Sequence, residues 1–527
     1  MTAAASAGPA PAAETGVPAW PRAALLSLSD RGGMEAFARA LAAGGTRLVA
    51  SGGTAAHLAA AGLEVTAVEA WTGAPELLGG RVKTLHPHVH APILARRGVA
   101  DDMAALAARG LVPIDLVAVT LYPFESRAAA ADDAAMVEDI DIGGVALLRA
   151  AAKNHEAVIA LHDPAQYPEA LAALARGVTP AERRAWARSA FARTARYDAA
   201  IAAELARRAG AGDEPPAAYG LALERVRALR YGENPHQAAA LYARAGGAPA
   251  PAAWREGREL SYNNLLDLEA AVALAGRFEA PACVIVKHGQ PCGAACAATP
   301  AEAYADALRA DELSAFGGVV AFNRPLDAAT AAALAHQFVE CVAAPELAPG
   351  AEEALRGRKN LRLVRLAAAD LAAADPWRLR PVGPWALLQR DAPGAPPAWR
   401  AVTRRAPDPA ERAALAFAWE VVAAARSNAA VLARGTRVTG VGSGQTSRVD
   451  AVDVALLKAR RAGHDPRGAV LASDGFFPFP DGVAHAAGAG ITAIVQPGGS
   501  VRDAEVVAEA DRHGVAMLFT DRRVFRH

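Results

Sequence analysis

From about Ala23 onward, short apolar runs alternate with alanine-rich stretches whose polar residues fall at helical spacing. The pattern predicts a strand over Ala23–Leu28, a helix over Gly33–Ala43, a strand over Arg47–Ala50 and a helix over Thr54–Ala61. Ile114–Thr120 predicts another buried strand, and Val145–Ala152 a helix entered through Gly143-Gly144. Strands and helices in this alternation predict a parallel sheet with covering helices, an α/β fold. Gly210–Pro216 is the strongest interior linker signal and places a boundary near residue 215. Beyond it, Cys283–Val286, Val319–Phe322, Val438–Val441, Ala469–Ala472 and Ile491–Gln496 predict strands, again mixed with helices. The interval 343–412 is rich in Pro, Ala and Arg with weak periodicity, and either joins two subdomains or carries variable surface. No fixed-period repeat appears, which excludes a solenoid. The expected organisation is a disordered leader over 1–20, a domain over 21–215 and a second over 216–527.

At 527 residues the chain exceeds what one core supports. It is 53% apolar and 21% charged, and no apolar stretch approaches the ~18 residues of a membrane span. The formal charge is zero, so no global field points to nucleic acid or an anionic membrane. Four cysteines in so long a chain make no disulfide framework, which points to a reducing, cytoplasmic setting. The first 20 residues are Ala/Pro-rich without a basic start, and so do not read as a signal peptide.

Charge type is more informative than charge total. Five of the 55 basic residues are lysine, at 83, 153, 287, 359 and 458. Arginine stays protonated and offers a flat fork of donors, whereas the pKa of lysine is tuned by its site. Lys359 and Lys458 lie in basic runs and read as solvated surface. Lys83, Lys153 and Lys287 lie in unlike company and mark candidate chemistry.

Two strand-to-helix junctions in the first half suit an anion. Ser29 and Arg31 follow the first strand; Ser51-Gly52-Gly53-Thr54 follow the second. Glycines let backbone N–H groups approach a phosphate, hydroxyls add donors, and a helix N-terminus favours negative charge. The plainer reading is that Ser and Thr only cap their helices. No Walker lysine or dinucleotide fingerprint is present. Arg81 adds a possible bidentate phosphate contact. Lys83, Tyr122, Asp141 and Lys153 supply two amines, a phenol and a carboxylate, the groups needed to move protons while an oxyanion forms.

Ser27–Arg31, Ser51–Thr54, Gly79–Pro87, Leu121–Glu125, Ile140–Gly144 and Arg149–His155 resemble, in that order, the IMP cyclohydrolase domain of the bifunctional purine-biosynthesis family, which also carries AICAR transformylase. The resemblance covers roughly residues 22–527. It implies a methylglyoxal-synthase-like first domain that closes the ring of formyl-AICAR to IMP, with the phosphate on the Ser/Gly/Thr loops. Lys83, Lys153 and Tyr122 would stabilise the oxyanion, and Asp141 would hold the carboxamide or accept its proton. Thr120 stands where the family usually has Asn, which puts one substrate hydrogen bond in doubt.

In the second half, Lys287-His288 precedes Gly289-Gln290-Pro291-Cys292-Gly293. His288, Cys292 and Cys296 invite a zinc reading. Zinc deaminases need a glutamate where Gln290 stands and a tighter cysteine spacing, so no catalytic metal is expected. The same family's transformylase domain is similar over Arg230–Gln237, Tyr262–Asp267, Lys287-His288, Ser314–Gly318, Ser427–Ala429, Gly442–Arg448 and Phe476–Asp481. The resemblance implies two cytidine-deaminase-like subdomains that transfer a formyl group from 10-formyltetrahydrofolate to AICAR. His288 would be the base, Lys287 the oxyanion stabiliser and Asn428 the holder of the formyl oxygen. Arg230, Tyr231, Asn264, Gly318, Arg448, Phe476 and Asp481 would bind nucleotide or folate. It also implies a homodimer.

Two rivals are open. Gly289 would loosen the loop carrying His288 and leave only the cyclohydrolase working. Alternatively, the Ser/Gly/Thr cradle would serve a nucleotide-binding regulator.

Overall fold

Five parallel strands, β1 (Ala23–Leu28), β2 (Arg47–Ala50), β3 (Thr66–Ala67), β4 (Leu116–Thr120) and β5 (Ile159–Leu161), form the first sheet in the order β3-β2-β1-β4-β5. The computed structural model describes residues 20–128, 131–210, 214–244, 251–253, 259–371, 377–390 and 398–527. The expected leader, apart from Trp20, and part of the Gly210–Pro216 linker lie outside them. The chain divides into two compact units, one running to Leu223 and also taking in Arg244, the other holding the remaining described residues from Glu224.

In the first unit, successive strand residues feed opposite faces, as the pleat requires. Leu25, Val49, Val117 and Val119 pack on one side with Leu147, Leu148 and Tyr197. Leu26, Leu48 and Leu116 pack on the other with Phe37, Leu41 and Trp186. Both faces are covered, which is why these strands read as continuous apolar runs. The strand order reverses between β1 and β4. In open parallel sheets a ligand crevice lies at such a switch point, beyond the strands' carboxyl ends. The loops carrying Ser29, Ser51 and Tyr122 leave from those ends.

The second unit holds a twelve-stranded mixed sheet with an internal duplication. From its centre, one half runs Gln290–Cys296, Ala282–Lys287, Gly318–Phe322, Val339–Ala344, Arg362–Arg365 and Ala252–Ala253. The other half runs Arg437–Gly442, Ala430–Arg434, Val470–Ser473, Ala493–Gln496, Ala516–Phe519 and Arg400–Ala401. Each half is a hairpin, then three mutually parallel strands, then a short antiparallel edge. The halves meet through the antiparallel pair Ala295 and Arg437. The weakly periodic interval 343–412 closes the first half, carries the hairpin Trp377–Val382/Trp385–Arg390 and opens the second half.

Candidate active sites

In the first unit the hydroxyls do not cap their helices. Ser51 shares a hydrogen bond of 2.9 Å with Ser27, and Thr54 Oγ1 accepts the N–H of Leu28 at 3.0 Å. They knit β1 to the β2 junction and leave the Gly52-Gly53 turn bare. A Cβ on Gly52 would stand 3.4 Å from Lys83 Nζ, and one on Gly53 3.4 Å from an Arg31 guanidinium nitrogen. Two cations therefore overhang this turn, as an anion cradle requires. Ser29 donates to the carbonyls of Thr120 and Leu121, at 2.9 and 2.7 Å. Thr120 Oγ1 accepts the N–H of Asp30 at 2.8 Å. The threonine that departs from the family thus ties the β1 and β4 loops together.

Lys83 pairs with Glu76 at 2.8 Å, and that hydrogen bond raises the lysine's pKa. Tyr122 is near enough to act on Lys83 electrostatically. The Asp141 carboxylate accepts the N–H of Gly144 at 2.7 Å and lies near the backbone N–H of Tyr122. Burial pushes the Asp141 pKa up, with those two N–H groups opposing it. Lys83, Tyr122 and Asp141 thus form one chain of neighbours. Lys153 is apart from them: it ends the helix that starts at Gly143, about 15 Å along the axis, and is exposed. Arg81, expected to contact phosphate, is exposed and ion-paired with Glu138.

In the second unit, Lys287 Nζ donates to the carbonyls of Phe316 and Gly317, at 3.2 and 2.7 Å. His288-Gly289 form the two-residue turn between Ala282–Lys287 and Gln290–Cys296. Both have positive φ, +54° and +70°, the requirement of a type I′ hairpin turn. Glycine at 289 is therefore what the turn demands, which overturns the expectation that it loosens the loop. Gln290–Cys296, which is not among the predicted strands, is a strand in the centre of the sheet. Cys292 is buried within it, and burial pushes its thiol pKa up to about 12.

Asn428 is bound on every side. Its amide N–H groups donate to Gln445 O and Thr446 O, at 2.9 and 3.3 Å, and its Oδ1 accepts from Arg448 at 2.7 Å. Arg448, expected to grip ligand, is buried in an ion pair with Asp474 and also donates to Ala429 O. It orients Asn428 from behind. Asn264 is buried too, capping its helix with Ser261 and donating to Glu340 at 3.0 Å. Arg230 lies over the Tyr231 ring at 5.0 Å, and the pair lines a cleft with Glu259, Ser261 and Arg362. Gly318 is buried where a Cβ would meet Val286 O at 3.0 Å. Phe476 and Asp481 are exposed, Asp481 at the start of the helix Asp481–Gly488.

A family model described as AICARFT/IMPCHase bienzyme matches residues 151–458, and one described as MGS-like domain matches residues 33–146. The bifunctional purine biosynthesis protein PurH of Myxococcus xanthus (strain DK1622) is 48% identical over 521 residues, covering 96% of this chain and 100% of that protein. The chain belongs to the AICARFT/IMPCHase bienzyme family. A second PurH, from Chloroflexus aurantiacus (strain ATCC 29366 / DSM 635 / J-10-fl), is 50% identical over 513 residues, covering 96% of this chain and 98% of that protein. The crystal structure of ForH is 39% identical and covers 36% of this chain and 98% of that one, at a TM-score of 0.32.

Three residues with no role assigned from sequence support this family's second site. Asp474 is fully buried and accepts from Ser427 Oγ, from the N–H of Ala429 and from Arg448. Asp267 and Gln290 brace the His288 turn. A single Asp or Gln at such a position gives no sequence sign of bracing. Lys458 needs correction: it is no free surface charge but donates to Asp311 at 2.8 Å, tying the helix Arg448–Arg461 to the segment ahead of Phe316-Gly317.

Proposed function

We propose that the chain catalyses the two closing steps of IMP synthesis, formyl transfer to AICAR in the second unit and ring closure of formyl-AICAR in the first. The observation that carries the transfer step is the bond from Arg426 N to Gln290 Oε1, 2.9 Å, which joins the His288 turn to the Asn428 segment. In this reading the 5-amine of AICAR attacks the formyl carbon of 10-formyltetrahydrofolate. His288 takes the amine proton, Lys287 faces the developing oxyanion, and the bond from carbon to the folate nitrogen breaks as that nitrogen is protonated. The exposed imidazole has no hydrogen-bond partner among the described residues, which suits a base awaiting substrate. Arg230 and Tyr231 would hold nucleotide, with Phe476 and Asp481 against folate.

In ring closure the carboxamide nitrogen attacks the formyl carbon and water leaves. An amide nitrogen is a poor nucleophile, so orientation against the carbonyl carries much of the rate. Asp141, with its raised pKa, suits the carboxamide proton. Lys83, held charged by Glu76, suits the oxyanion beside Tyr122. Ser29, Arg31 and the Ser51–Thr54 turn would take the phosphate. Lys153 enters as an exposed amine without a partner among the described residues, and Lys153→Arg tests it: retained cyclisation removes it from the site.

The mirrored strand order supports reading the two halves of the second unit as cytidine-deaminase-like. A homodimer and a cytoplasmic location belong to the same proposal. No described helix is long and apolar enough to cross a membrane. The decisive assay supplies AICAR and 10-formyltetrahydrofolate to the purified chain, and formyl-AICAR separately. His288→Ala should stop the first reaction alone and Lys83→Met the second alone. A chain that cyclises formyl-AICAR but never consumes the folate would sink the two-step reading.

A further inference from the structure

We propose that Asp267 and Gln290 are positioning residues of the formyl-transfer site, two straps that fix the turn presenting His288. The proposal rests on the reading of His288 as the base. A histidine at φ +54° occupies a backbone region that residues with side chains adopt rarely, so neighbouring contacts must hold it there. Asp267 projects from the helix Tyr262–Ala275 and accepts the backbone N–H of Gly289 at 2.6 Å. That bond fixes the peptide plane between His288 and Gly289.

Gln290 holds the other side. Its Nε2 donates to Gly289 O at 3.1 Å, and its Oε1 accepts the N–H of Arg426 at 2.9 Å. Every polar backbone group of Gly289 is therefore engaged by one strap or the other. Because Arg426 stands two residues before Asn428, the second strap also sets the spacing between the base and the Asn428 segment. Neither side chain is placed to react with substrate in this scheme; each acts through the turn.

The test uses the full chain with Asp267→Asn, Asp267→Ala, Gln290→Ala and Gln290→Glu. Formyl transfer is read as kcat and KM for AICAR, cyclisation of formyl-AICAR as the internal control, and the urea midpoint as the fold control. Misplacing a reacting group by an ångström costs on the order of a hundredfold. The expected result is a fall of about ten- to a hundredfold in transfer kcat for Asp267→Ala and Gln290→Ala. AICAR KM and cyclisation should stay unchanged, and Gln290→Glu, which keeps the acceptor for Arg426, should be partly rescued. Unchanged kcat in Asp267→Ala and Gln290→Ala overturns the proposal, as does a loss shared equally by cyclisation; Asp267→Asn, which keeps an acceptor for the Gly289 N–H, should be partly rescued. His288→Ala runs in parallel. Full transfer activity there sinks the base reading itself, whereas an inactive His288→Ala beside unimpaired strap variants sinks only the straps.

Discussion

Arg448 donates to the side-chain oxygen of Asn428 at 2.7 Å while closing an ion pair with Asp474, whose carboxylate is wholly shut off from solvent. One guanidinium thus serves two ends, neutralising a buried charge and fixing which way the Asn428 amide points. With Oδ1 held by Arg448, the amide N–H groups must face Gln445 and Thr446. A formyl oxygen would reach those donors only by displacing a carbonyl.

Arg448→Met should leave Asp474 buried without its cation. Breaking a buried pair in this way costs about 3–5 kcal/mol, and urea denaturation followed on the second unit should show a loss of that size. Arg448→Lys keeps a charge but not the fork, and should lose less stability while still losing formyl transfer. Equal stability of Arg448→Met and the parent would refute the ion pair's role.

Lys83 gives a pH prediction. Its hydrogen bond to Glu76 raises its pKa, so the favourable pairing is fully present below the ordinary lysine value and is lost as pH rises through the raised one. The window is therefore alkaline, above about pH 10. Glu76→Gln should move the alkaline limb of cyclisation to lower pH. A pH–rate profile identical to the parent's would show that Lys83 does not set that limb.

Asp141 gives the opposite kind of trade. Burial disfavours its charged form, so the ionised carboxylate costs stability at neutral pH and the cost vanishes as pH falls through the raised pKa. Asp141→Asn should raise the melting temperature at pH 7 and converge with the parent in acid. Cyclisation should fall by roughly 10²–10⁴, the range for losing a positioned acid or base. A destabilised Asp141→Asn would mean that the N–H groups of Gly144 and Tyr122 outweigh desolvation.

Gly289 is testable by shape alone. A Cβ there would find an Arg426 nitrogen only at 4.0 Å, so space is not the constraint; φ of +70° is. Asn tolerates that region and Val does not. Formyl transfer should survive Gly289→Asn and drop sharply in Gly289→Val, with cyclisation steady in both. Similar rates for the two variants would mean the turn is not held as described.

The sheet of the first unit was legible because its strands are covered on both faces, and β1 matches Ala23–Leu28 residue for residue. Its site was legible as loops, since Ser51, Gly52 and Gly53 stand at a strand's carboxyl end. The partners of Ser51 and Thr54 were not, because capping and cross-strand bonding use the same residue types. In the second unit, Gln290–Cys296 is missing from the predicted strands because Pro291 and Gly293 interrupt any apolar run. Gly293 is buried against the backbone of Ala307, a close approach that no local pattern announces. Lys458 misled for a similar reason: its basic neighbours on the chain say nothing of Asp311, which comes from another element.

The doubled sheet gives every hairpin a counterpart. The counterpart of His288-Gly289 is Gly435-Thr436, between Ala430–Arg434 and Arg437–Gly442, and there the left-handed first position is filled by glycine at φ +56°. The second half thus carries at this place the residue that backbone geometry prefers, and the first half seats an imidazole there. Holding a histidine where glycine would sit without strain costs of order 1–3 kcal/mol, which the surrounding contacts must offset.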